Sequence, residues 1–127
     1  MRDLIRKRGN YKYLEIGSYL GGSISPGLMM RFLALHNFTG RLPLITPGSI
    51  SRNHGATTLE SIRTGVQLGI VHEMNGFISS WQQKYGNMKV VMTGGDAQRF
   101  AGHVKSSIFV APELIHTGLN EILKLNV

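Results

Sequence analysis

The sequence predicts a single α/β domain in which a small mixed sheet is flanked by helices. Two short apolar runs, at 89–93 and 107–110, lie between Gly or Pro turns, as strands do. Helical patterns alternate with these runs, which is typical of α/β folds with right-handed crossovers. The length of 127 residues and the hydrophobic content of 42% fit one domain with a folded core.

The first predicted element is a strand over residues 11–19, where aromatic or apolar side chains alternate with polar ones. A helix is predicted over 27–38, because apolar residues return there every three or four positions. Ser25 is the predicted cap of this helix, and Pro26 suits its first position. Pro and Gly are frequent in 39–55, which predicts a long irregular connection.

A second and longer helix is predicted from Thr57 or Thr58, either of which can cap it, with Glu60 or Ser61 helping in the first turn. Its apolar positions repeat at helical spacing and are Leu59, Ile62, Val66, Ile70, Met74, Phe77 and Trp81. Three glycines within it, Gly65, Gly69 and Gly76, each cost about 1 kcal/mol relative to Ala. They predict that another backbone packs closely against this helix.

The last third of the chain predicts the order strand, helix, strand, helix. Asp96 is the predicted cap of a short helix that ends at about Ala101, between the two apolar runs. Pro112 and Glu113 are predicted to start the final helix. The residues predicted to face a core from this helix are Ile115, Leu119, Ile122 and Leu123.

The composition excludes several classes of site. Without cysteine, neither disulfides nor thiolate metal ligands are available. The seven acidic residues and five histidines show no metal-ligand spacing, and there is no nucleophile elbow and no Walker P-loop. No apolar run is long enough to span a bilayer, so no membrane partner and a reduced, cytoplasmic setting are predicted. No catalytic residue and no metal ligand is predicted in this chain.

The net charge of +7 has two interpretations. Either the chain has an anionic partner, or it is a fragment separated from a more acidic remainder. Basic residues cluster only in 1–12, and they do not interleave with aromatic residues on one face. Dedicated binding of nucleic acid is therefore not predicted.

The best local candidate for ligand contact is the run Thr93-Gly94-Gly95-Asp96. A buried strand that ends in Gly-Gly lets a ligand approach backbone N–H groups at the start of a helix. In open α/β sheets, ligands collect at the carboxyl ends of the strands. The run therefore predicts contact with a nucleotide, with a purely geometric turn as the alternative.

Three glycine-marked segments, in this order, resemble the second half of type III pantothenate kinases, a family of the actin/hexokinase-like ATPase superfamily. The segments are Gly21-Gly22-x-Ile24-x-Pro26-Gly27, the stretch from Gly55 to Gly65 and Val90 to Asp96. Smaller similarities are Ala34-Leu35, Leu42-Pro43 and the run from Ala111-Pro112-Glu113-Leu114 to Gly118-Leu119. The resemblance covers almost the whole chain after residue 18.

The resemblance implies that residues 19–127 form the second half of an actin/ribonuclease H-like ATPase fold, after an N-terminal segment, 1–18, with one strand. It implies a homodimer that uses ATP, Mg²⁺ and a monovalent cation, K⁺ or NH₄⁺, to phosphorylate pantothenate in the first step of coenzyme A biosynthesis. In this family a Thr-Gly-Gly borders the adenosine of ATP, which assigns that role to Thr93, Gly94 and Gly95. Thr58 is similar to the threonine that contacts pantothenate across the dimer interface. The residues implied to lie near the site and the interface are Gly21, Gly22, Pro26 and Gly27.

Three elements of the family have no match in this chain. They are the Asp-x-Gly-Asn phosphate loop, the Gly-x-Asp-Arg segment that supplies the catalytic base, and the Asp-Gly-Thr-Ala element that holds phosphate and a monovalent cation. We therefore expect an incomplete kinase that is inactive alone. Two other interpretations remain open: a non-catalytic homologue that dimerises and binds nucleotide, and a transcriptional regulator of the Bvg accessory factor type that uses the basic segment 1–12.

Overall fold

The computed structural model describes residues 20–49 and 53–125, so the strand predicted over 11–19 lies outside the described residues. The elements follow in the order α1 (Leu28–Asn37), α2 (Thr58–Tyr85), β1 (Val90–Met92), α3 (Ala97–Ala101), β2 (Ile108–Val110) and α4 (Leu114–Leu125). This order confirms the predicted alternation of strands and helices and an α/β class. None of the helices in the described ranges is both long enough and apolar enough to cross a membrane.

The start of α1 differs from the prediction that Ser25 caps it. The N-cap residue is Gly27, and no side chain caps the helix. The Ser25 hydroxyl instead donates to the Glu73 carboxylate on α2, and Arg31 Nε donates to the Pro26 carbonyl at 2.7 Å. The capping prediction is wrong because a partner that is distant in sequence takes the hydroxyl.

The start of α2 confirms the predicted cap. The Thr57 side chain accepts a hydrogen bond from the Glu60 N–H at 3.2 Å, and the Glu60 carboxylate accepts one from the Ala56 N–H at 2.8 Å. The first interaction satisfies a backbone donor that the first turn of a helix leaves unpaired, and the second ties the residue before the cap to the same turn. The helix continues to Tyr85 and ends at Gly86, whose φ of 78° suits glycine.

The close backbone contact predicted from the three glycines of α2 is not found in the described part of the chain. A Cβ added at Gly65 or Gly76 would meet no other atom within 4 Å, and one at Gly69 would meet only Arg31 Nη1, at 4.0 Å. The reason is that α1 and α2 pack through large side chains. Phe32 of α1 and Val66 of α2 belong to the same buried cluster, so the two backbones stay apart.

The core lies between α1, α2, the irregular connection and α3. Its buried members are Leu28, Phe32, Ile45, Ile62, Val66, Val71 and Phe100. Ile45 comes from the connection, and Phe100 brings α3 onto the two long helices. The core therefore fixes both the connection and α3 against α2.

The sheet in the described residues consists of β1 and β2, which pair in parallel with Val90 opposite Ile108 and Met92 opposite Val110. The Ala111 N–H donates to the Met92 carbonyl at 2.8 Å and extends the pairing by one bond. The sheet was predicted to be mixed, and the part of it in the described residues is parallel. What the structure places is a parallel crossover through α3, with the carboxyl end of β1 at Thr93.

The final helix, α4, does not bury its apolar face in the described part of the chain. Its predicted core residues are exposed, to 59% for Ile115, 54% for Leu119, 56% for Ile122 and 64% for Leu123. The prediction that these residues face a core is wrong here, because apolar spacing shows which face of a helix favours burial but not what covers it. The two-stranded sheet is too small to cover this face.

Candidate functional site

The turn after β1 is held by two local interactions. The Thr93 hydroxyl donates to the Pro112 carbonyl at 3.3 Å, which ties the end of β1 to the segment before α4. Gly94 has a φ of +93°, a conformation that favours glycine, and its carbonyl accepts from the Ala97 N–H at 3.1 Å. Gly95 follows with open space beside it, since an added Cβ would meet no other atom within 4 Å.

Asp96 occupies the N-cap position of α3, but its side chain forms no capping hydrogen bond. Its backbone is already in the right-handed helical region, with φ −91° and ψ −2°, whereas a capping side chain needs an extended backbone. The prediction that Asp96 caps α3 is therefore wrong. The carboxylate is exposed instead and lines a cavity.

This cavity has a volume of about 530 Å³ and opens beside the turn after β1. Its volume is in the range of small-molecule sites. It is bounded by the connection before α2, the middle of α2, and the turn and helix that follow β1. The lining residues are Gly48, Ser49, Gln67, Gly95, Asp96, Gln98, Arg99 and His103.

Gln67 is a wall residue that the sequence analysis missed. It is fully buried, at 0% exposure. Its Nε2 donates to the Gly48 carbonyl at 2.8 Å, and its Oε1 accepts from the Gly48 N–H at 2.9 Å. The side chain therefore pairs with both backbone groups of one loop residue. The only signal in the sequence is a Gln beside the apolar positions of α2.

Asn75 holds a second loop against α2. Its Oδ1 accepts from the Lys105 N–H at 2.9 Å, while its Nδ2 donates to the His103 carbonyl at 3.3 Å and to the Val71 carbonyl at 3.0 Å. These bonds fix the loop that follows α3, and His103 on that loop lines the cavity.

The residues that line the cavity carry both charges, since Arg99 and Asp96 are among them. A guanidinium suits the oxygens of a phosphate group. Among the described residues, no group of three or more His, Asp or Glu side chains could hold a metal ion. Asp96 is the one carboxylate among the lining residues, so the cavity offers no cluster of side-chain ligands for a metal ion, and we derive no step through Mg²⁺ or a monovalent cation.

The other residues singled out from the sequence lie away from this cavity. Thr58 is the first residue of α2 and is exposed, and it does not line the cavity with Gly95. The segment 21–27 is exposed along its length, and Gly21 has a φ of +112°. Within the described part of the chain, the structure brings neither Thr58 nor this segment to Gly95.

The segment 21–27 is instead anchored at one point on α2. Arg31 Nη2 donates to Glu73 Oε2 at 2.8 Å, and the Ser25 hydroxyl donates to the other oxygen of the same carboxylate. Two hydrogen bonds lower the pKa of the Glu73 carboxyl below its ordinary value of 4.5. The bond from Ser25 is the larger cause, and the bond from Arg31 is the next. This cluster connects the glycine-rich segment to the middle of α2.

Comparison with known proteins gives a consistent result over most of the chain. A family model described as type III pantothenate kinase matches residues 11–80. A type III pantothenate kinase of Porphyromonas gingivalis is 48% identical over 114 residues, which cover 87% of this chain and 47% of that protein. A type III pantothenate kinase of Bacteroides fragilis is 44% identical over 117 residues, or 91% of this chain and 48% of that protein.

The chain thus spans about half the length of the curated relatives it matches. The match covers α1 and most of α2 in the family model, and the alignments with the relatives extend over most of the chain. On this evidence the chain belongs to the type III pantothenate kinase family.

Proposed function

We propose that this chain forms the part of a type III pantothenate kinase that binds the adenosine of ATP, in the ATP-dependent phosphorylation of pantothenate that begins coenzyme A biosynthesis. The observation that carries the proposal is the cavity of about 530 Å³ beside the turn after β1. This is the edge of an α/β sheet at which ligands collect. The family to which the chain belongs supports ATP as the ligand.

Three features of the turn support adenosine as the group that it binds. The open space beside Gly95 leaves its backbone accessible to a flat ring. The hydrogen bond of the Thr93 hydroxyl and the positive φ of Gly94 hold the turn in one conformation before a ligand arrives. A site that is ordered in advance loses less entropy when it binds. Arg99 offers a cation to the phosphates.

The position of Thr58 supports a homodimer. We propose that Thr58 contacts pantothenate and that Gly21, Gly22, Pro26 and Gly27 line the site and the interface. Because Thr58 lies away from the cavity of its own chain, a second copy would bring it to the site. In this proposal residues 19–127 are the second domain of an actin/ribonuclease H-like ATPase fold, after the segment 1–18.

The contribution of these residues to catalysis is to bind and orient. Phosphoryl transfer depends on positioning the two reactants and on neutralising phosphate charge. The catalytic base, the phosphate loop and the element that holds the monovalent cation, K⁺ or NH₄⁺, have no match in this sequence, and Mg²⁺ is expected for the complete enzyme. We propose that the chain is inactive without those elements and that it works in the cytoplasm, where ATP is available.

The nucleotide site is tested by Gly95→Val. A Cβ at this position meets no other atom within 4 Å, so the substitution extends into open space and not into the core. We expect the affinity for ADP, measured by calorimetry on the full chain, to fall at least about tenfold because the ring loses its approach to the backbone. Gly40→Val is the matched control, since Gly40 is also exposed and open but lies away from the cavity.

Equal ADP affinity in Gly95→Val and Gly40→Val would show that the nucleotide site is not at this turn. A folded chain that binds no ADP at all would remove the nucleotide site itself. Salt-dependent binding of duplex DNA by that same chain would favour the transcriptional regulator.

The kinase assignment is tested by supplying the missing elements. The segment of the Porphyromonas gingivalis relative that this chain does not cover is mixed with the chain, ATP, Mg²⁺, K⁺ and pantothenate. We expect pantothenate-dependent ADP release from the mixture, and a higher KM for pantothenate with Thr58→Ala. A mixture that binds ADP but releases none with pantothenate would favour the non-catalytic, nucleotide-binding homologue.

A further inference from the structure

We propose that Gln67 and Asn75 of α2 are positioning residues, which hold two loops that line the cavity. The proposal rests on the proposed function, in which this cavity binds ATP. Neither side chain is assigned a role by the family resemblance. Each acts through backbone groups of a loop and not through the nucleotide.

The Gln67 side chain fixes the loop before α2. It is fully buried and forms two hydrogen bonds with Gly48, one as donor and one as acceptor. A buried polar group is tolerated when all its bonds are satisfied, and both ends of this amide are. Arg63 supports the same loop, because its Nε donates to the Thr46 carbonyl at 3.3 Å.

Gly48 lies close to the side chain of Arg63 on α2. A Cβ added at Gly48 would lie 2.8 Å from Arg63 Nε and 2.9 Å from Arg63 Cδ. The loop is thus packed from the side of Arg63 and hydrogen-bonded from the side of Gln67. Its distance from the helix, and so one wall of the cavity, is set by α2.

The Asn75 side chain does the same for the loop after α3. Its amide joins the Lys105 N–H and the His103 carbonyl to α2. Without this contact, the backbone between α3 and β2 would have to find other partners or solvent. The position of His103 on the cavity wall depends on this attachment.

Both attachments come from one rigid element. Gln67 and Asn75 are eight residues apart in the sequence, which is about 12 Å along the axis of a helix. Each side chain offers one donor and one acceptor to a loop that has no strand partner of its own in the described residues. The helix α2 therefore holds both lining loops in place before nucleotide binds.

The test compares Gln67→Met and Asn75→Leu with Gln83→Met in the full chain. The first two substitutions keep the size of the side chain and remove its hydrogen bonds. Gln83 is exposed on the same helix, so its substitution is the matched control. Two quantities are measured for each protein: the hydrogen-exchange rate of the Gly48 and Lys105 amides by NMR, and the affinity for ADP by calorimetry.

We expect both amides to exchange slowly in the unsubstituted chain. Gln67→Met should speed exchange at Gly48 about tenfold and leave Lys105 unchanged, and Asn75→Leu should do the reverse. Each variant should bind ADP about tenfold more weakly, while Gln83→Met matches the unsubstituted chain. A residue with only a structural role would change the unfolding temperature but not the ADP affinity of the folded chain.

Fast exchange of both amides in the unsubstituted chain would overturn the proposal without any variant, whatever the ADP result. Local loss of protection with unchanged ADP affinity would show that the loops are held but do not position the nucleotide. Protected amides in a folded chain that binds no ADP would contradict the nucleotide site and leave the attachment of the loops intact. The two failures are therefore distinguishable.

Discussion

Two parts of the chain differ in how many buried residues they contribute to the core: the part from α1 to α2 and the part from β1 to α4. Among the described residues, the first part contributes the buried Leu28, Phe32, Ile45, Ile62, Val66 and Val71, and the second contributes Ala97 and Phe100. Yet the second part carries the turn that we propose as the nucleotide site. The proposed site therefore lies in the part with few buried residues of its own, and its position depends on the contacts of that part with α2.

The largest expected effect comes from Phe32→Ala. Phe32 is 1% exposed in the core of the first part, whereas Phe109 on β2 is 59% exposed. We expect Phe32→Ala to lower the free energy of unfolding by about 3–5 kcal/mol, because it leaves a cavity where an aromatic ring was packed. Phe109→Ala should lower the free energy of unfolding by less than about 1 kcal/mol. Urea unfolding followed by circular dichroism measures both.

Equal losses for the two phenylalanines would contradict the difference between the two parts. Such a result would mean that β2 buries Phe109 in solution, for instance against another protein surface.

A smaller effect is expected at the start of α2. A Cβ at Gly55 would overlap the backbone nitrogen of Ser61 and the backbone carbon of Glu60, which are fixed in the first turn of the helix. We expect Gly55→Ala to lower the free energy of unfolding by about 3 kcal/mol, since the backbone cannot move aside as a side chain can. Gly76→Ala, in open space on the same helix, should stabilise the chain by about 0.5–1 kcal/mol. The midpoints of thermal unfolding distinguish these opposite signs.

A Gly55→Ala chain as stable as the unsubstituted one would mean that the turn before α2 is not fixed as described. The start of α2 would then not be held rigidly by the residues that precede it.

The smallest expected effect concerns Glu73, whose pKa is lowered by the Ser25 and Arg31 hydrogen bonds. A carboxyl with a lowered pKa in the folded state stabilises that state above its ordinary value of 4.5, and the stabilisation is lost as the pH falls through the lowered pKa. The side chains are 20% exposed for Arg31 and 33% for Glu73, so solvent screens the pair and the effect should be less than about 1 kcal/mol. The stability of the unsubstituted chain and of Glu73→Gln is compared between pH 7 and pH 3.

The difference in the free energy of unfolding between the two proteins should be largest at pH 7 and should become smaller in acid. A difference in the free energy of unfolding that grows in acid would mean a raised pKa and would contradict the lowered pKa of Glu73. Ser25→Ala gives an independent check, since it removes the largest cause of the shift and keeps the Arg31 partner.

The helices and strands could be predicted because their signals are local. The apolar period predicted 27–38 and the observed helix is Leu28–Asn37, and the short apolar runs contain β1 and β2. The Thr57 cap was also predicted correctly, because its partners lie within the same turn. The nucleotide role of Thr93, Gly94 and Gly95 stays a prediction, although Gly95 lies on a cavity of suitable size.

Three of the failures concern partners that are distant in sequence, whereas Asp96 fails to cap α3 because its own backbone is helical. Ser25 was predicted to cap α1, and its hydroxyl is bonded to Glu73 on another helix. The glycines of α2 were predicted to admit a close backbone, and large side chains fill the contact with α1. The apolar face of α4 was predicted to be buried, and the described part of the chain leaves it exposed.

Within the described residues, the sequence by itself determined where the chain forms helices, strands and turns, because backbone angles and apolar period are set by neighbours a few residues away. Its motifs also led to the family to which the chain belongs. Only the tertiary structure decided that Gln67 and Asn75 hold the loops around the cavity. An amide forms the same kinds of hydrogen bond with any backbone, so its partner is fixed by which loop the fold brings within about 3 Å.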